Sequence, residues 1–383
     1  MSGRIRIALD ARRAVRRMTG IGRYVLHLAR YLPGLGPEFR FDLLVDRPLP
    51  SDMLPEGCRQ VVLGRYVGDG TPAARFYSPF WLNICVPRYL AQEGVALFHG
   101  TNFVIPLRTE CKVVATLHDL AFIRIPHAYG PLYKRYMKMQ VKMSLNRADA
   151  VITGSVAAKK DLIDILKADP SRITVIYHGV GEEFKERGAH DERYLKDVRS
   201  RLELPHRYIL YVGVIEAKKN IPSLLRGGGE VIRSGLSDAV VLAGRDGLGA
   251  GAIRRFTKEI GLAERVRFLG YVPQELLPGL YALAQVVVFP SLYEGFGMPV
   301  LESMASGVPA IVSGFSSLPE VGGDAAIVLK VADGEEIAEA LRRLLSDNAL
   351  YEELRSRGLA RAKQFSWKES AAKHIAVYRR VLG

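Results

Sequence analysis

The 383-residue sequence is 48% hydrophobic and 25% charged, which suits a globular chain with two cores better than one, since single domains run to about 150–200 residues. Cys58, Cys85 and Cys111 are too few and too scattered for a disulfide framework or a zinc cluster, and no apolar run approaches the roughly 18 residues that cross a bilayer. The net charge of +14 is uneven, with 27 Lys/Arg against 16 Asp/Glu in residues 1–185 but 27 against 24 in residues 186–383, so the first half is the part that attracts anions.

Short β-branched runs alternate with helical stretches along the chain, the pattern of βα units around parallel sheets. Residues 5–10 read as the first strand. Arg4 and Arg6 interrupt the opening apolar stretch, so a leader peptide is not expected. Strands follow at 41–45, at a segment ending in His99-Gly100, and at 112–117, 150–153 and 173–177. Around Tyr133–Met143 a basic helix is expected, with aromatic and Met residues between its charges, a composition suited to an anionic membrane surface. Residues 185–206 are charged and weakly periodic and read as the connection between domains 1–185 and 186–365. Nearly continuous apolar strands then follow at 208–212, 239–243, 266–269, 286–289 and 310–312, as expected where helices cover both faces.

Several strand ends carry residues suited to ligand chemistry, and open α/β sheets bind ligands beyond those carboxyl ends. Arg12, Arg13, Arg16 and Arg17 follow the first strand, and Thr19-Gly20-Ile21-Gly22-Arg23-Tyr24 reads as a turn where backbone approaches a ligand closely. His99-Gly100-Thr101-Asn102 and Thr116-Leu117-His118-Asp119 place a histidine at two further strand ends. In Tyr211-Val212-Gly213-Val214-Ile215-Glu216-Ala217-Lys218-Lys219-Asn220, a buried strand runs into a turn with two lysines ahead of a helix, where cations neutralise a diphosphate. The most specific stretch runs from Phe289 through Pro290, Glu294, Gly295, Phe296, Gly297, Met298 and Pro299 to Glu302. It reads as strand, glycine loop and helix start, with Phe296, Gly297 and Met298 offering amides at the positive helix end and two carboxylates eight positions apart to grip hydroxyls.

The Glu294-to-Glu302 spacing resembles the E-x7-E signature of retaining glycosyltransferase family 4. The context is similar too: Ala305-Ser306-Gly307-Val308-Pro309 resembles the family's A-x-G-x-P strand, and Ser317-Leu318-Pro319-Glu320-Val321 its following P-E segment. The resemblance implies a GT-B fold: two Rossmann-like, doubly wound parallel-sheet α/β domains facing a cleft, with a last helix, residues 366–383, returning to the first domain. It implies that Glu294 contacts the donor sugar, Glu302 the nucleotide ribose and Lys219 the phosphates. Many relatives carry Arg after the glycine equivalent to Gly213; here that position is Val214, so Lys218 is the candidate second cation. Gly20-Ile21-Gly22-Arg23-Tyr24 resembles a loop of a mannosyltransferase-like branch that mostly uses GDP-mannose, a loop facing donor phosphate and acceptor. His118 matches a histidine that contacts the donor sugar, and His99 and Asn102 match an acceptor-side H-x-x-N stretch. In Val175-Ile176-Tyr177-His178-Gly179-Val180, His178 stands where the family usually has Asn.

The expected activity is therefore transfer of a hexose, with mannose from GDP-mannose the favoured donor, to a hydroxyl of a glycan or lipid-linked glycan. Other GT-B chemistry, such as sugar-nucleotide epimerisation, is the alternative, and a basic nucleic-acid-binding protein a remote one. His118, Lys219 and Glu294 are the expected catalytic residues. Neither a metal nor a cofactor is expected, and the expected partners are the nucleotide sugar, the acceptor and an anionic membrane surface at the inner face of the cell membrane. No nucleic-acid partner is expected, because recognition helix, RNP-like aromatics and zinc spacing are all absent from the sequence.

Overall fold

A strand whose two faces are both covered must be apolar throughout, and that rule sets the location of the strands here. The computed structural model describes residues 4–15, 20–64 and 78–383; Arg16, Arg17 and Thr19 lie outside the described residues. In the first unit the strands are β1 (Ile5–Asp10), β2 (Phe39–Val45), β3 (Cys58–Val62), β4 (Leu97–Gly100), β5 (Lys112–Thr116), β6 (Ala150–Thr153) and β7 (Ile173–Val175). Their order across the sheet is β3-β2-β1-β4-β5-β6-β7. The second unit holds β8 (Tyr208–Val212), β9 (Ala239–Ala243), β10 (Val266–Gly270), β11 (Val286–Phe289), β12 (Ala310–Ser313) and β13 (Ala326–Leu329), ordered β10-β9-β8-β11-β12-β13. Every described strand pair is parallel.

Two edge strands, β3 and β13, have no counterpart in the sequence reading. Strand β3 carries Arg59 and Gln60 and is only half covered, so the continuous apolar run that marks inner strands is missing. Strand β13 is apolar and four residues long, with its two middle residues, Ile327 and Val328, only partly covered.

The first unit is formed from residues 1–120, 131–179 and 366–383, the second from 121–130 and 180–365. The chain enters the second unit six residues ahead of the sequence-based division at 186, because Phe184 is buried in the second core beside Leu195, Tyr208 and Tyr281. Residues 121–130 join the second unit because Ala121 and Ile125 pack against Tyr293.

The last helix, Trp367–Leu382, lies against the helix Gly20–Leu35 within the first unit. Ser366 caps it, its hydroxyl accepting from the amides of Lys368 at 3.2 Å and Glu369 at 3.4 Å. Trp367, Ala371, His374, Ile375 and Tyr378 form the buried stripe, at helical spacing. A hydrogen-bonded chain runs through this contact. Tyr378 Oη lies 2.7 Å from His99 Nδ1, His99 Nε2 lies 2.8 Å from Thr116 Oγ1, and Tyr24 Oη lies 3.0 Å from Thr116 Oγ1 and 2.9 Å from His374 Nε2. His374 Nδ1 faces the Ser370 carbonyl at 2.7 Å and must donate to it. That fixes Nε2 as acceptor from Tyr24, and one consistent direction of donation follows back to Tyr378 when both histidines are neutral.

Burial holds His99 well below the ordinary histidine range and brings His374 to about 4. A depressed folded pKa means that the unfolded chain binds more protons at mild acidity, so this stability is complete above about pH 6.5 and is lost as pH falls toward 4. For His374 alone the loss is about 3 kcal/mol. Urea midpoints measured between neutrality and pH 4 are expected to fall steeply, and the slope is expected to be shallower in His374→Phe. An identical slope in the variant would show that this histidine is not the group that titrates.

Candidate active site

A doubly wound sheet opens a crevice where its strand order reverses, because the loops leaving the two central strands diverge to opposite faces. In the second unit that point lies between β8 and β11. The two loops leaving it carry Lys218 with Lys219 and Glu294.

After β8 the chain passes Gly213, whose φ of +155° and close neighbour leave little room for a side chain: a Cβ there would stand 2.7 Å from the Tyr211 hydroxyl. A short 3-10 turn, Ala217–Lys219, follows, and Asn220 at φ +53° opens the helix Ile221–Arg233. The Asn220 side-chain amide donates to the Ala332 carbonyl at 2.7 Å, which anchors the turn. Lys219 is buried and its Nζ bonds to Glu294 Oε1. The Lys219 side chain is 10% exposed and that of Glu294 14%, so this pair is shielded far more than a surface ion pair. The Lys218 ammonium lies 3.4 Å from Glu216 Oε1 and 3.3 Å from the Tyr129 hydroxyl, which residues 121–130 bring to the second unit.

After β11 the loop is held from behind by main-chain contacts. The Leu292 amide donates to the Lys218 carbonyl at 2.9 Å, tying the two crevice loops together directly. The Glu294 amide donates to Ser316 Oγ at 2.8 Å, and Ser317 Oγ donates to the carbonyls of Glu294 at 3.0 Å and Phe296 at 2.7 Å. Ser316 takes φ +52°, a left-handed conformation that a non-glycine residue adopts at some cost. Gly297 sits at φ +114°, where a Cβ would come within 2.8 Å of Leu318 Cδ2, and the helix Met298–Ala305 starts after it. Phe296 and Gly297 are buried and Met298 half-buried, so this helix start stands beside the crevice loop with its positive end forward. Glu302, just over one turn into the helix, is 3% exposed and accepts from the Tyr281 hydroxyl at 2.8 Å. Sequence reasoning missed Tyr281, Ser316 and Tyr129, because each reaches the site from an element distant in the chain.

In the first unit the equivalent reversal lies between β1 and β4. Asn102, following β4, meets Arg13, following β1: in the amide orientation that satisfies both, its oxygen accepts from Nε at 3.0 Å and Nη2 at 3.2 Å. Arg12 is buried, donates to both Asp10 carboxylate oxygens and lies 3.9 Å over the Trp81 ring, so it belongs to the packing. Gly20 and Gly22 stand inside the helix Gly20–Leu35 and not in the turn the sequence suggested; half-buried Arg23 follows in its first turn. His118 is 9% exposed, its Nε2 donates to the Thr101 carbonyl at 2.9 Å, and burial lowers its pKa, which leaves a neutral ring with Nδ1 as acceptor. His99 does not face an acceptor as the sequence suggested: it is fully enclosed, with its two ring nitrogens bonded to Tyr378 and Thr116.

Residues 18–184 match the family model described as Glycosyltransferase Family 4, and residues 196–361 the one described as Glycosyl transferases group 1. The sequence is 33% identical to O-antigen chain mannosyltransferase B of Escherichia coli over 285 residues, 74% of each chain. It is 32% identical over 287 residues to the serotype-specific mannosyltransferase WbdA of Escherichia coli, a match covering 73% of this chain and 35% of that longer protein. Among solved structures, sucrose-phosphate synthase from Thermosynechococcus elongatus has a TM-score of 0.80 at 24% identity, covering 99% of both chains, which is a likeness of fold.

Removing one partner of a shielded ion pair strands the other charge, so the two single changes add up to more than removing both partners together. Lys219→Met and Glu294→Leu are each expected to lower unfolding stability by about 1–3 kcal/mol, with the double variant less destabilised than the two singles added. Strict additivity in urea melts would show that the two side chains do not interact.

Proposed function

The chain belongs to the family 4, group 1 glycosyltransferases of the GT-B fold, and from that premise we propose that it moves mannose from GDP-mannose to a glycan hydroxyl with retention of anomeric configuration. The observation that carries this reading is the Lys219–Glu294 pair at the strand-order reversal of the second sheet. On donor binding the Lys219 ammonium turns to the diphosphate and the Glu294 carboxylate to the sugar hydroxyls, so each exchanges one polar partner for another without leaving a bare charge. Lys218 and the start of the helix Met298–Ala305 add positive potential where the leaving group gains charge. Glu302, oriented by Tyr281, accepts from the ribose hydroxyls.

Electrostatic neutralisation by fixed lysines and amides makes a divalent ion unnecessary, so the reaction is read as metal-independent. The acceptor hydroxyl attacks on the face that the diphosphate leaves, and the departing phosphate oxygen takes its proton. Glu294 is then a positioning and electrostatic residue and not a nucleophile, unlike the second carboxylate of a retaining glycosidase. Neutral His118 is read as a hydrogen-bonding contact to the donor sugar, and Arg23 and Asn102 as acceptor-side contacts. Mannose is favoured because the relatives above are mannosyltransferases and because of the Gly20–Tyr24 motif. An O-antigen-type, lipid-linked glycan presented at the inner membrane face is the proposed acceptor.

Lys219→Ala and Glu294→Ala are each expected to cut turnover at least about a hundredfold, the scale of losing one preorganised electrostatic contact. Full turnover by folded Lys219→Ala would remove the mechanism. GDP-mannose is expected to raise the thermal midpoint more than other sugar nucleotides. Product NMR is expected to show the anomer of the donor, and activity is expected to survive chelation by EDTA.

A further inference from the structure

The helix Pro131–Arg147 in the first unit has five cationic residues and no carboxylate. At about 100° per residue, its buried Met137, Val141 and Leu145 share one face. Leu132, Tyr136, Met139 and Met143 fall within an arc of about 60° on the opposite face. That second face looks outward: Leu132 is 83% exposed, Met139 52% and Tyr136 40%, with Met143 half-buried. The helix is therefore apolar on two opposed sides, only one of which serves the core. Arg135, Lys138 and Lys142, all exposed, lie between the two faces along one flank.

On that same flank, at the amino ends of β6 and β7 and so at the far end of the strands from the β1–β4 loops, is a cavity of about 380 Å³. Lys142, Lys167 and Arg172 line it together with Asp169, over an apolar wall that includes Leu145 and Val151. Asp169 is engaged with the amide of Ser171 at 2.9 Å and its hydroxyl at 2.7 Å, and Arg172 donates to the Ala148 carbonyl, so the lining holds three cations against one carboxylate.

An exposed apolar stripe edged by cations on a unit with excess positive charge matches the depth profile of an anionic bilayer: hydrocarbon, then phosphate, then water. No helix among the described residues is long and apolar enough to cross a membrane, so the geometry is that of a helix lying in the interface. We propose that this face docks on an anionic membrane, with Leu132, Tyr136, Met139 and Met143 entering the interfacial zone, Arg135 and Lys138 meeting lipid phosphates, and the Lys142–Lys167–Arg172 cavity seating one phosphate headgroup. The proposal deepens the reading above, resting on an acceptor presented at a membrane, and it gives the surface that holds the enzyme there.

The test is flotation of the full chain with vesicles of phosphatidylcholine alone or mixed with phosphatidylglycerol. Wild type is expected to float with the mixed vesicles, not with phosphatidylcholine alone, and to be released by salt. Met139→Asp is expected to lower partitioning by about tenfold, and Lys138→Gln combined with Lys142→Gln by about thirtyfold, given roughly 1 kcal/mol for each of the two cations at such a surface. Each variant is checked by circular dichroism and by its thermal shift with GDP-mannose, which these changes are expected to leave unaltered. Flotation of Met139→Asp equal to wild type, or no flotation of wild type, overturns the proposal. If inorganic phosphate stabilises wild type but not Lys167→Gln, and vesicles do not bind, the cavity takes free phosphate and the docking surface is likewise overturned. Loss of flotation with an intact donor shift leaves the transferase reading standing. Flotation without any sugar-nucleotide shift does the reverse.

Discussion

The reversal of strand order between β8 and β11 is the constraint on which the proposed chemistry depends. Helices after these two strands must cover opposite faces of one sheet, so their leading loops part and leave a crevice. Lys219 and Glu294 are 75 residues apart in sequence, yet each occupies one of those loops, and their side chains meet inside the crevice. A charge enclosed that far from water is tolerable only with a partner. The pair is therefore both a structural clasp and a reserve of two oppositely charged contacts for an anionic, hydroxyl-rich ligand.

Precision in that crevice comes from main-chain bonds more than from the functional side chains. Leu292 bonds to Lys218, Glu294 to Ser316, and Ser317 to two carbonyls of the glycine loop, so the loop cannot move without losing several hydrogen bonds together. Strain is kept at Ser316 and conformational freedom at Gly297, at either end of the same framework. Tyr281 does for Glu302 what these serines do for the backbone: it fixes one carboxylate oxygen and leaves the direction of the other determined.

The first unit follows a different economy of polar groups. Its sheet reversal gathers Arg13 and Asn102, while deeper in the unit a chain of neutral hydroxyl and imidazole groups ties the C-terminal helix to β4, β5 and the helix Gly20–Leu35. Such a chain holds only with every imidazole uncharged, which burial enforces. The 366–383 segment thus belongs to the first unit through hydrogen-bond direction as well as through its apolar stripe.

Local pattern was enough for the inner strands, because a strand buried on both faces must be apolar along its whole length, and for the Glu294–Glu302 loop, because glycine, proline and carboxylate at fixed spacing describe a strand-to-helix turn without any distant residue. The same pattern did not reveal β3, where Arg59 and Gln60 break the apolar run, or β13, whose middle residues are only partly covered. Histidine at a strand end was legible, but not its depth: His118 lies at the margin of burial and His99 is sealed, a difference set by Tyr378 and Thr116, 279 and 17 residues away. Tertiary structure alone decided that Lys219 meets Glu294, that Tyr129 reaches Lys218 and that a basic helix has its second apolar face turned outward. Each of these depends on which elements are brought together in space, and spacing along one strand or helix carries no record of that.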